Sequence, residues 1–282
     1  MKLNAICMVK NEGDVIAETL LNAIAFCHRI YVFDNGSTDG TWETILELAQ
    51  QHEQIEIAAH SDEVFKNQLR NRVYNMFHHK YTDDDWWYIL DADEMLTEDP
   101  KPLLSEADRK GYDMLRVWQA QFYFTDKDMA GYEQEDKSLP VTERRRHYRI
   151  NWREPRFFKN KQNQQWSENI SGRLPPFCKR FYYKAPICRH YAQRTPEQIK
   201  ARNQIRINNP FSFFHLKNGK ADNWLKQADD MFVYNNDGKF QFPVADRVKY
   251  FASEFRYWCQ WRVKNVVNLV HKALSFATPQ PR

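Results

Sequence analysis

Short apolar runs alternate with helical patterns over the first ninety residues. Four runs predict buried strands at 3–9, 30–33, 55–58 and 86–90. Between them, apolar residues recur every three or four positions and predict helices at 14–27, 41–52 and 66–78. Strands that alternate with helices form a largely parallel sheet flanked by helices. The pattern therefore predicts an α/β fold for this part of the chain.

Two polar clusters directly follow predicted strands. Residues 34–40 (Asp-Asn-Gly-Ser-Thr-Asp-Gly) follow the second strand, and residues 91–94 (Asp-Ala-Asp-Glu) follow the fourth. In open sheets of this type, ligands bind outside the carboxyl ends of the strands. The pattern therefore predicts a ligand site at that edge of the sheet.

The second cluster contains two carboxylates at positions i and i+2. In extended chain Asp91 and Asp93 point to the same face, where they repel each other unless a cation lies between them. Mn²⁺ or Mg²⁺ suits oxygen ligands, and the phosphates of a substrate can fill the remaining positions. The alternative is a solvated acidic turn. The apolar run at 86–90, which brings the pair to the end of a buried strand, favours the metal site.

The first cluster has two interpretations that do not exclude each other. Its Asn, Gly, Ser and Asp residues are typical of a turn that ends in a helix cap. Its leading carboxylate, Asp34, could also accept hydrogen bonds from a nucleobase or a ribose. The position directly after a buried strand favours a contribution to binding.

The pattern changes after residue 110. Aromatic-rich residues 112–124 predict a strand, 125–165 predict loops and short strands, and further strands are predicted at 156–159 and 181–189. Thr195-Pro196-Glu197-Gln198 predicts a capped helix start. Residues 222–233 are a candidate for another helix. The longest helical pattern covers 244–276, in a segment to residue 282 with seven Lys or Arg against two acidic residues.

Composition and charge narrow the class of protein. The five cysteines are odd in number and form no CxxC pair, which argues against a disulfide framework or a zinc site and favours a reducing cytoplasm. The net charge of +4 suits an anionic ligand without requiring nucleic acid, for which no binding motif is present. No signal peptide or membrane span is evident, so we expect a cytoplasmic protein, either free or peripheral on the inner face of the cell membrane.

Three motifs in order carry a family resemblance. Met-Val-Lys-Asn-Glu at 8–12, the segment 32–41 and Leu-Asp-Ala-Asp-Glu at 90–94 resemble the family 2 glycosyltransferases. The resemblance is strong over residues 3–96, weaker to about 205 and absent beyond. It implies a Rossmann-like GT-A fold over 1–205, a nucleotide-sugar-binding catalytic domain. Residues 206–282 would then form a mostly helical C-terminal extension.

The resemblance also implies an activity. It is the inverting transfer of a sugar from a nucleotide-diphosphate donor to a glycan or lipid-linked acceptor, of the cell-surface polysaccharide or lipopolysaccharide type. The implied metal ligands, for Mn²⁺ or Mg²⁺, are Asp91, Asp93 and His190. The implied donor-binding residues are Lys10, Asn11, Glu12, Asp34, Asn35, Arg70 and Asp91.

The general base is the least determined residue. Inverting transfer needs a carboxylate that accepts the proton of the acceptor hydroxyl. Glu168 is our candidate for this base, with Glu135 and Asp136 as alternatives. The predicted catalytic residues are therefore Glu168 and Asp93. The family often has a His-Glu pair in this region, which the sequence lacks. The base is therefore open at this stage.

Several alternatives remain. The basic segment 244–276 either packs on the catalytic domain or lies on an anionic membrane. The run Arg144-Arg145-Arg146 is either a solvated charge run or a grip for an anionic acceptor. A degenerate transferase that only binds a sugar nucleotide or a partner is the competing function, against which the intact Asp91 and Asp93 argue. A nucleotidyltransferase would need more glycine after the first strand than residues 8–14 provide.

Overall fold

A computed structural model describes residues 1–209 and 224–242, together with Phe255. The chain divides into two compact units, Met1–Gln241 and Phe242–Arg282. The strands of the first unit are β1 Leu3–Val9, β2 Arg29–Asp34, β3 Ile55–His60, β4 Trp86–Asp91, β5 Glu94–Leu96, β6 Met114–Tyr123, β7 His147–Lys159, β8 Ile187–His190 and β9 Phe232–Val233. Its α-helices are α1 Ile16–Ile24, α2 Thr41–Gln51, α3 Gln68–Phe77, α4 Lys101–Arg109, α5 Asp126–Gly131, α6 Val141–Arg144 and α7 Pro196–Asn208.

One sheet contains all nine strands found among the described residues, in the order β3-β2-β1-β4-β7-β6-β8-β5, with β9 beside β7. The first four strands are parallel to one another, as predicted. Beyond them the sheet is mixed, because β7 runs antiparallel to both β4 and β6. The carboxyl ends of β1, β2 and β4 therefore meet at one edge, where the polar clusters follow.

Strands β1, β2 and β4 are mostly apolar because both faces of the sheet are covered there. Along β1, Cys7 and Val9 pack into one apolar layer with α1 and α2, while Ile6 and Met8 face the layer formed with α3. Side chains alternate between the two faces of a strand, so a strand buried on both faces needs apolar residues at every position. This requirement explains the continuous runs in the sequence.

The middle of the chain departs from the prediction. Residues 125–165 were expected to form loops and short strands, but they contain the 13-residue strand β7 and two short helices. Tyr148 and Ile150 of β7 are buried while Arg149 between them is not. This period of two is a strand pattern, which the many charged residues obscure. Of the strand predicted at 181–189, only its end forms β8.

The last described elements test three further predictions. Thr195 caps α7, since its side chain accepts a hydrogen bond from the Gln198 amide and Pro196 occupies the first helical position, as predicted. The prediction of a helix at 222–233 was wrong for its described residues, 224–233. They contain a 3₁₀ turn at Ala228–Asp230 and then β9. The helix predicted at 244–276 lies outside the described residues.

The boundary between a catalytic domain and an extension at residue 205 stays a prediction. Helix α7 crosses this boundary and continues to Asn208. Strand β9, which lies further along the chain, pairs with β7 of the same sheet. Among the described helices, none combines the length and the apolar character needed to cross a bilayer.

Candidate active site

The loops that follow β1 and β2 are hydrogen-bonded to each other. Lys10 Nζ donates to the Asn35 carbonyl at 2.9 Å. The Asn11 amide donates to Ser37 Oγ at 2.9 Å, and Asn11 Oδ1 accepts from the Thr38 amide at 2.8 Å. Asn11 has a φ of +53°, a left-handed conformation that asparagine tolerates better than most residues. These bonds bring four predicted donor-binding residues, Lys10, Asn11, Glu12 and Asn35, to one place.

Asp34 is buried and is used to build its own loop. Its Oδ1 accepts from the Gly36 and Ser37 amides at 3.0 and 2.9 Å, and its Oδ2 accepts from Ser37 Oγ at 2.6 Å. His60 Nδ1, at the end of β3, lies 3.0 Å from Oδ1. Gly36 has a φ of +75°, a conformation that favours glycine. Contact between Asp34 and a nucleobase or ribose stays a prediction.

Asp91 lies at the end of β4 among three arginines. Its Oδ1 pairs with Arg70 Nη2 at 2.8 Å, and its Oδ2 pairs with Arg156 Nη2 at 2.7 Å. Arg173 Nη1 lies 3.6 Å away. Burial opposes ionisation of the carboxyl group, but the three guanidinium groups outweigh it and hold the pKa of Asp91 below its usual range. Asp91 is therefore ionised, and the three arginines balance its negative charge.

Arg156 occupies the centre of an acidic cluster. The side chains of Asp91, Glu94 and Glu154 offer oxygens within 4.8 Å of one another, which is a spacing that could hold a metal ion. However, Arg156 Nη2 lies 2.7 Å from Asp91, 2.7 Å from Glu154 and in hydrogen-bond contact with Glu94. The guanidinium group thus already supplies the cation at this position.

Asp93 faces a different group of cations. Its Oδ2 lies 2.6 Å from Arg202 Nη1, 3.4 Å from His190 Nε2 and 3.9 Å from Arg194 Nη1. Burial opposes its charge, but Arg202 and His190 hold the pKa of Asp93 well below its usual value. Burial in turn disfavours a charged His190, yet Asp93 outweighs it and raises the pKa of the imidazole. The pairing of His190 with Glu94 between β8 and β5 places the ring there.

Arg194 connects this group to the loop after β1. The side chain is fully buried and pairs with Glu12 and, at 2.8 Å, with Asp14. Arg202 Nη1 also lies 4.0 Å from Glu12. Burial raises the pKa of Glu12 despite the opposing effect of Arg194. Glu12, a predicted donor-binding residue, is therefore held next to the Asp93 group.

A divalent cation can be tested against these residues by the chemistry of the donor set. Two carboxylates, Asp91 and Asp93, and the imidazole of His190 suit Mn²⁺ or Mg²⁺. His190 Nδ1 is buried without a hydrogen-bond partner among the described residues, so the orientation of the ring is not fixed by a second bond. Among the described residues, however, the carboxylates close enough to share an ion are Asp91, Glu94 and Glu154, and Asp93 and His190 do not belong to that group. The residue types suit a metal, and their joint coordination of one ion stays a prediction.

The predicted general base lies at the surface. Glu168 is 46% exposed, and its Oε2 lies 3.6 Å from Arg72 Nε on α3. Asn71 fixes the segment by donating to the carbonyls of Ser167 and Ile170 at 2.8 and 3.0 Å. These contacts do not link Glu168 to the Asp91 or Asp93 groups. Its role as a base stays a prediction.

The alternative bases have other partners. Glu135 binds both Arg144 and Arg145, with Oε2 at 3.1 and 2.8 Å from their guanidinium nitrogens. Asp136 is exposed and accepts hydrogen bonds from Ser138. Both residues therefore shape the segment between α5 and α6.

The run at 144–146 is not the solvated charge run that the sequence suggested. Arg145 is fully buried, donates from Nε to the Arg194 carbonyl at 2.5 Å and lies 4.8 Å from the ring centre of Phe124. Arg146 Nε donates to the Tyr234 carbonyl at 2.6 Å. Because Glu135 neutralises Arg144 and Arg145, the run is a structural element that supports Arg194. The alternative, that this run binds an anionic acceptor, stays a prediction.

Sequence reasoning missed the arginines that balance the two aspartates. Arg156 and Arg202 lie 65 and 109 positions along the chain from their aspartate partners. No local motif marks them. The one available signal was Glu94, a third acidic residue entering a strand, which implies a buried counter-ion nearby.

Comparison with known proteins adds a family match. A sequence model of Glycosyl transferase family 2 matches residues 5–181. A mannosyltransferase from Pyrobaculum calidifontis, solved with GDP-Man and Mn²⁺, aligns with a TM-score of 0.41 and 15% identity over 78% of this chain and 71% of its own. A Bacillus anthracis protein described as a glucose-1-phosphate thymidylyltransferase, solved with a sucrose, aligns with a TM-score of 0.31 and 9% identity over 42% and 55%. No curated protein matches. Both scores are low, so the family assignment rests on the sequence match.

Proposed function

The chain belongs to glycosyl transferase family 2, with the predicted α/β fold of the GT-A type, and we propose that it is an inverting, metal-dependent enzyme. The donor is a nucleotide-diphosphate sugar, and the acceptor is a glycan or lipid-linked glycan of the cell-surface polysaccharide or lipopolysaccharide type. One observation carries the proposal: Asp91 and Asp93 lie at the carboxyl end of β4, beside the loops that follow β1 and β2.

The loops after β1 and β2 would bind the nucleoside. Lys10, Asn11 and Asn35 hold these loops together, and Asp34 fixes the shape of the second loop. Because this arrangement is built before any donor arrives, little ordering would be required on binding. Arg70 would orient Asp91 toward the donor through its ion pair.

Asp91, Asp93 and His190 would hold Mn²⁺ or Mg²⁺, which, when bound, neutralises charge on the diphosphate. The proton of the acceptor hydroxyl would pass to a carboxylate on the opposite face of the sugar. Glu168 remains our candidate for this base. In an assay with acceptor, Glu168→Gln should lower kcat and leave the KM for the donor unchanged.

A non-catalytic binding module is the second candidate. It is favoured by the ion pairs that balance both aspartates, because a carboxylate held by arginine is less available to a metal. The segment 244–276, for which we propose a peripheral contact with an anionic membrane, lies outside the described residues. This proposal applies to either function.

A donor screen separates the two candidates. UDP-, GDP-, CDP- and dTDP-sugars are incubated with Mn²⁺, Mg²⁺ or EDTA, and hydrolysis and binding are measured for the wild type and Asp93→Ala. We expect one donor to react with metal only, and the variant to lose about 100-fold or more of the rate. Asp84→Ala, at an exposed aspartate, is the control. Binding of a donor without metal-dependent turnover would support the binding module.

A further inference from the structure

Helix α7 crosses the edge of the sheet at which the donor would bind. At its start, Arg194 binds Glu12 and Asp14 of the loop after β1. At its end, Asn209 Nδ2 donates to the Phe65 carbonyl at 3.1 Å, just before α3. The helix therefore spans the gap between the proposed nucleoside loops and the aspartates that follow β4.

One face of α7 carries two arginines. Ile199 is buried, and Arg202 and Arg206 lie three and seven positions further on, which places all three on the same side of a helix. Arg202 Nη1 lies 2.6 Å from Asp93 and 4.0 Å from Glu12, and Arg206 follows it by one helical turn. The Arg202 guanidinium is thus directed at the acidic edge of the site, and Arg206 lies on the same face of the helix.

These two arginines differ from the other cations of the site in their freedom to change partner. Arg156 and Arg194 are fully buried, whereas the Arg202 side chain is 21% exposed. Asp93 would keep His190 and Arg194 nearby if Arg202 moved away. Arg206 forms no ion pair with any residue that the structure describes.

We propose that Arg202 and Arg206 bind the diphosphate of the donor, and that Arg202 exchanges Asp93 for the diphosphate when a divalent cation takes its place. The inference rests on the proposed function. Planar guanidinium groups bind phosphate oxygens in a bidentate manner. The leaving nucleoside diphosphate gains a further negative charge as the sugar departs, so two cations there stabilise the leaving group.

The test measures binding and does not require turnover. UDP, GDP, CDP and dTDP are titrated calorimetrically with Mn²⁺ present, each beside its monophosphate. For the wild type we expect one diphosphate to bind more tightly than its monophosphate. Arg206→Gln should weaken the diphosphate about tenfold and change the monophosphate less than twofold. Lys200→Gln removes a charge from an exposed position of the same helix and should change neither.

A second measurement tests Arg202. If Arg202 exchanges Asp93 for the diphosphate, its loss should have opposite effects on the affinity for the diphosphate and on the affinity for Mn²⁺. Arg202→Gln should weaken the diphosphate about tenfold, yet bind Mn²⁺ alone several-fold more tightly, as measured from the electron paramagnetic resonance signal of free Mn²⁺. Arg202→Lys retains the charge and should recover part of the diphosphate affinity. A purely structural arginine would weaken both ligands together.

The outcomes separate this inference from the proposed function. If the wild type binds no nucleoside diphosphate, the proposed function fails and the inference fails with it. If the wild type prefers a diphosphate and both variants keep that preference, only the inference is overturned. Equal losses of diphosphate and monophosphate in folded variants, checked by circular dichroism, would also overturn it.

Discussion

Asp91 and Asp93 are two residues apart, and arginines pair with both, but the arginines differ in how deeply they are buried. Asp91 pairs with Arg156 of strand β7 and with Arg70 of α3, both buried. Asp93 pairs most closely with Arg202 of α7, which reaches solvent. The nearest arginines of Asp91 therefore belong to the core, whereas the nearest arginine of Asp93 reaches solvent, although the Asp93 carboxylate is itself the more buried of the two.

The difference follows from what each arginine neutralises. Arg156 faces three carboxylates at once, including Glu94, which is completely inaccessible to solvent. A buried charge without a partner costs several kcal/mol, so Arg156 is required for Glu94 to be buried in its charged form. Arg202 contributes to a group that also contains Arg194 and His190. Its loss leaves no carboxylate without a cation.

The largest expected effect is on folding. Arg156→Met should lower the free energy of unfolding by about 3–5 kcal/mol, because Glu94 would remain buried without its cation. Urea unfolding followed by tryptophan fluorescence measures the change. Arg149→Met is the matched control on the same strand. Its ion pair with Asp230, at 3.6 Å, is exposed, so we expect a loss below about 1 kcal/mol.

A double variant sharpens this test. Glu94→Gln removes the buried carboxylate, so Arg156→Met combined with Glu94→Gln should be less destabilised than the sum of the two single variants. Additive losses would show that Arg156 stabilises the fold through packing of its side chain and not through charge.

The second prediction compares the aspartates directly. Asp91→Asn should cost about 2–3 kcal/mol, because Arg70 would keep only Asn67 as a polar side-chain partner among the described residues. Asp93→Asn should cost less than about 1 kcal/mol, because Arg194 retains Glu12 and Asp14. Urea unfolding in EDTA measures both. Equal losses would contradict the distinction between an aspartate paired with buried arginines and one paired with a partly exposed arginine.

The sequence predicts the first part of the fold because the information there is local. Strands β1, β2 and β4 are largely apolar runs, and the strand predicted at residues 3–9 has the bounds of β1. From β6 onward, strand pairing depends on residues far apart, and charges obscure the period of two in β7. The run at 144–146 shows the same limit, since burial of Arg145 depends on Glu135, Phe124 and the distant Arg194 carbonyl.

For the candidate site, the sequence motifs predict which residues lie together better than they predict the ion-pair partners of those residues. Asp93 and His190 were predicted together and lie 3.4 Å apart, because the pairing of β5 with β8 brings them there. The arginines could not be predicted, since ion-pair partners from other elements are set by tertiary packing. The exposed position of Glu168 is equally invisible to motif spacing, because the segment that carries it has no regular structure of its own.

The smallest expected effect extends the comparison to an ion pair in water. Glu106 on α4 binds Lys110 at 2.7 Å and Lys184 at 2.9 Å, and these two ammonium groups lower the pKa of Glu106 to about 2. A carboxyl group with a lowered pKa in the folded state stabilises the fold above its ordinary pKa of about 4.3, and this contribution disappears as the pH falls toward 2. At pH 7, Glu106→Gln should therefore cost only about 0.5–1 kcal/mol, because solvent screens the pairs.

The difference in the free energy of unfolding between Glu106→Gln and the wild type should shrink between pH 5 and pH 2, as measured by urea unfolding. Glu47→Gln, at an exposed position of α2, is the control and should show little change. A cost at pH 7 as large as that of Arg156→Met would mean that burial does not decide the strength of these ion pairs, and the distinction between Asp91 and Asp93 would lose its physical basis.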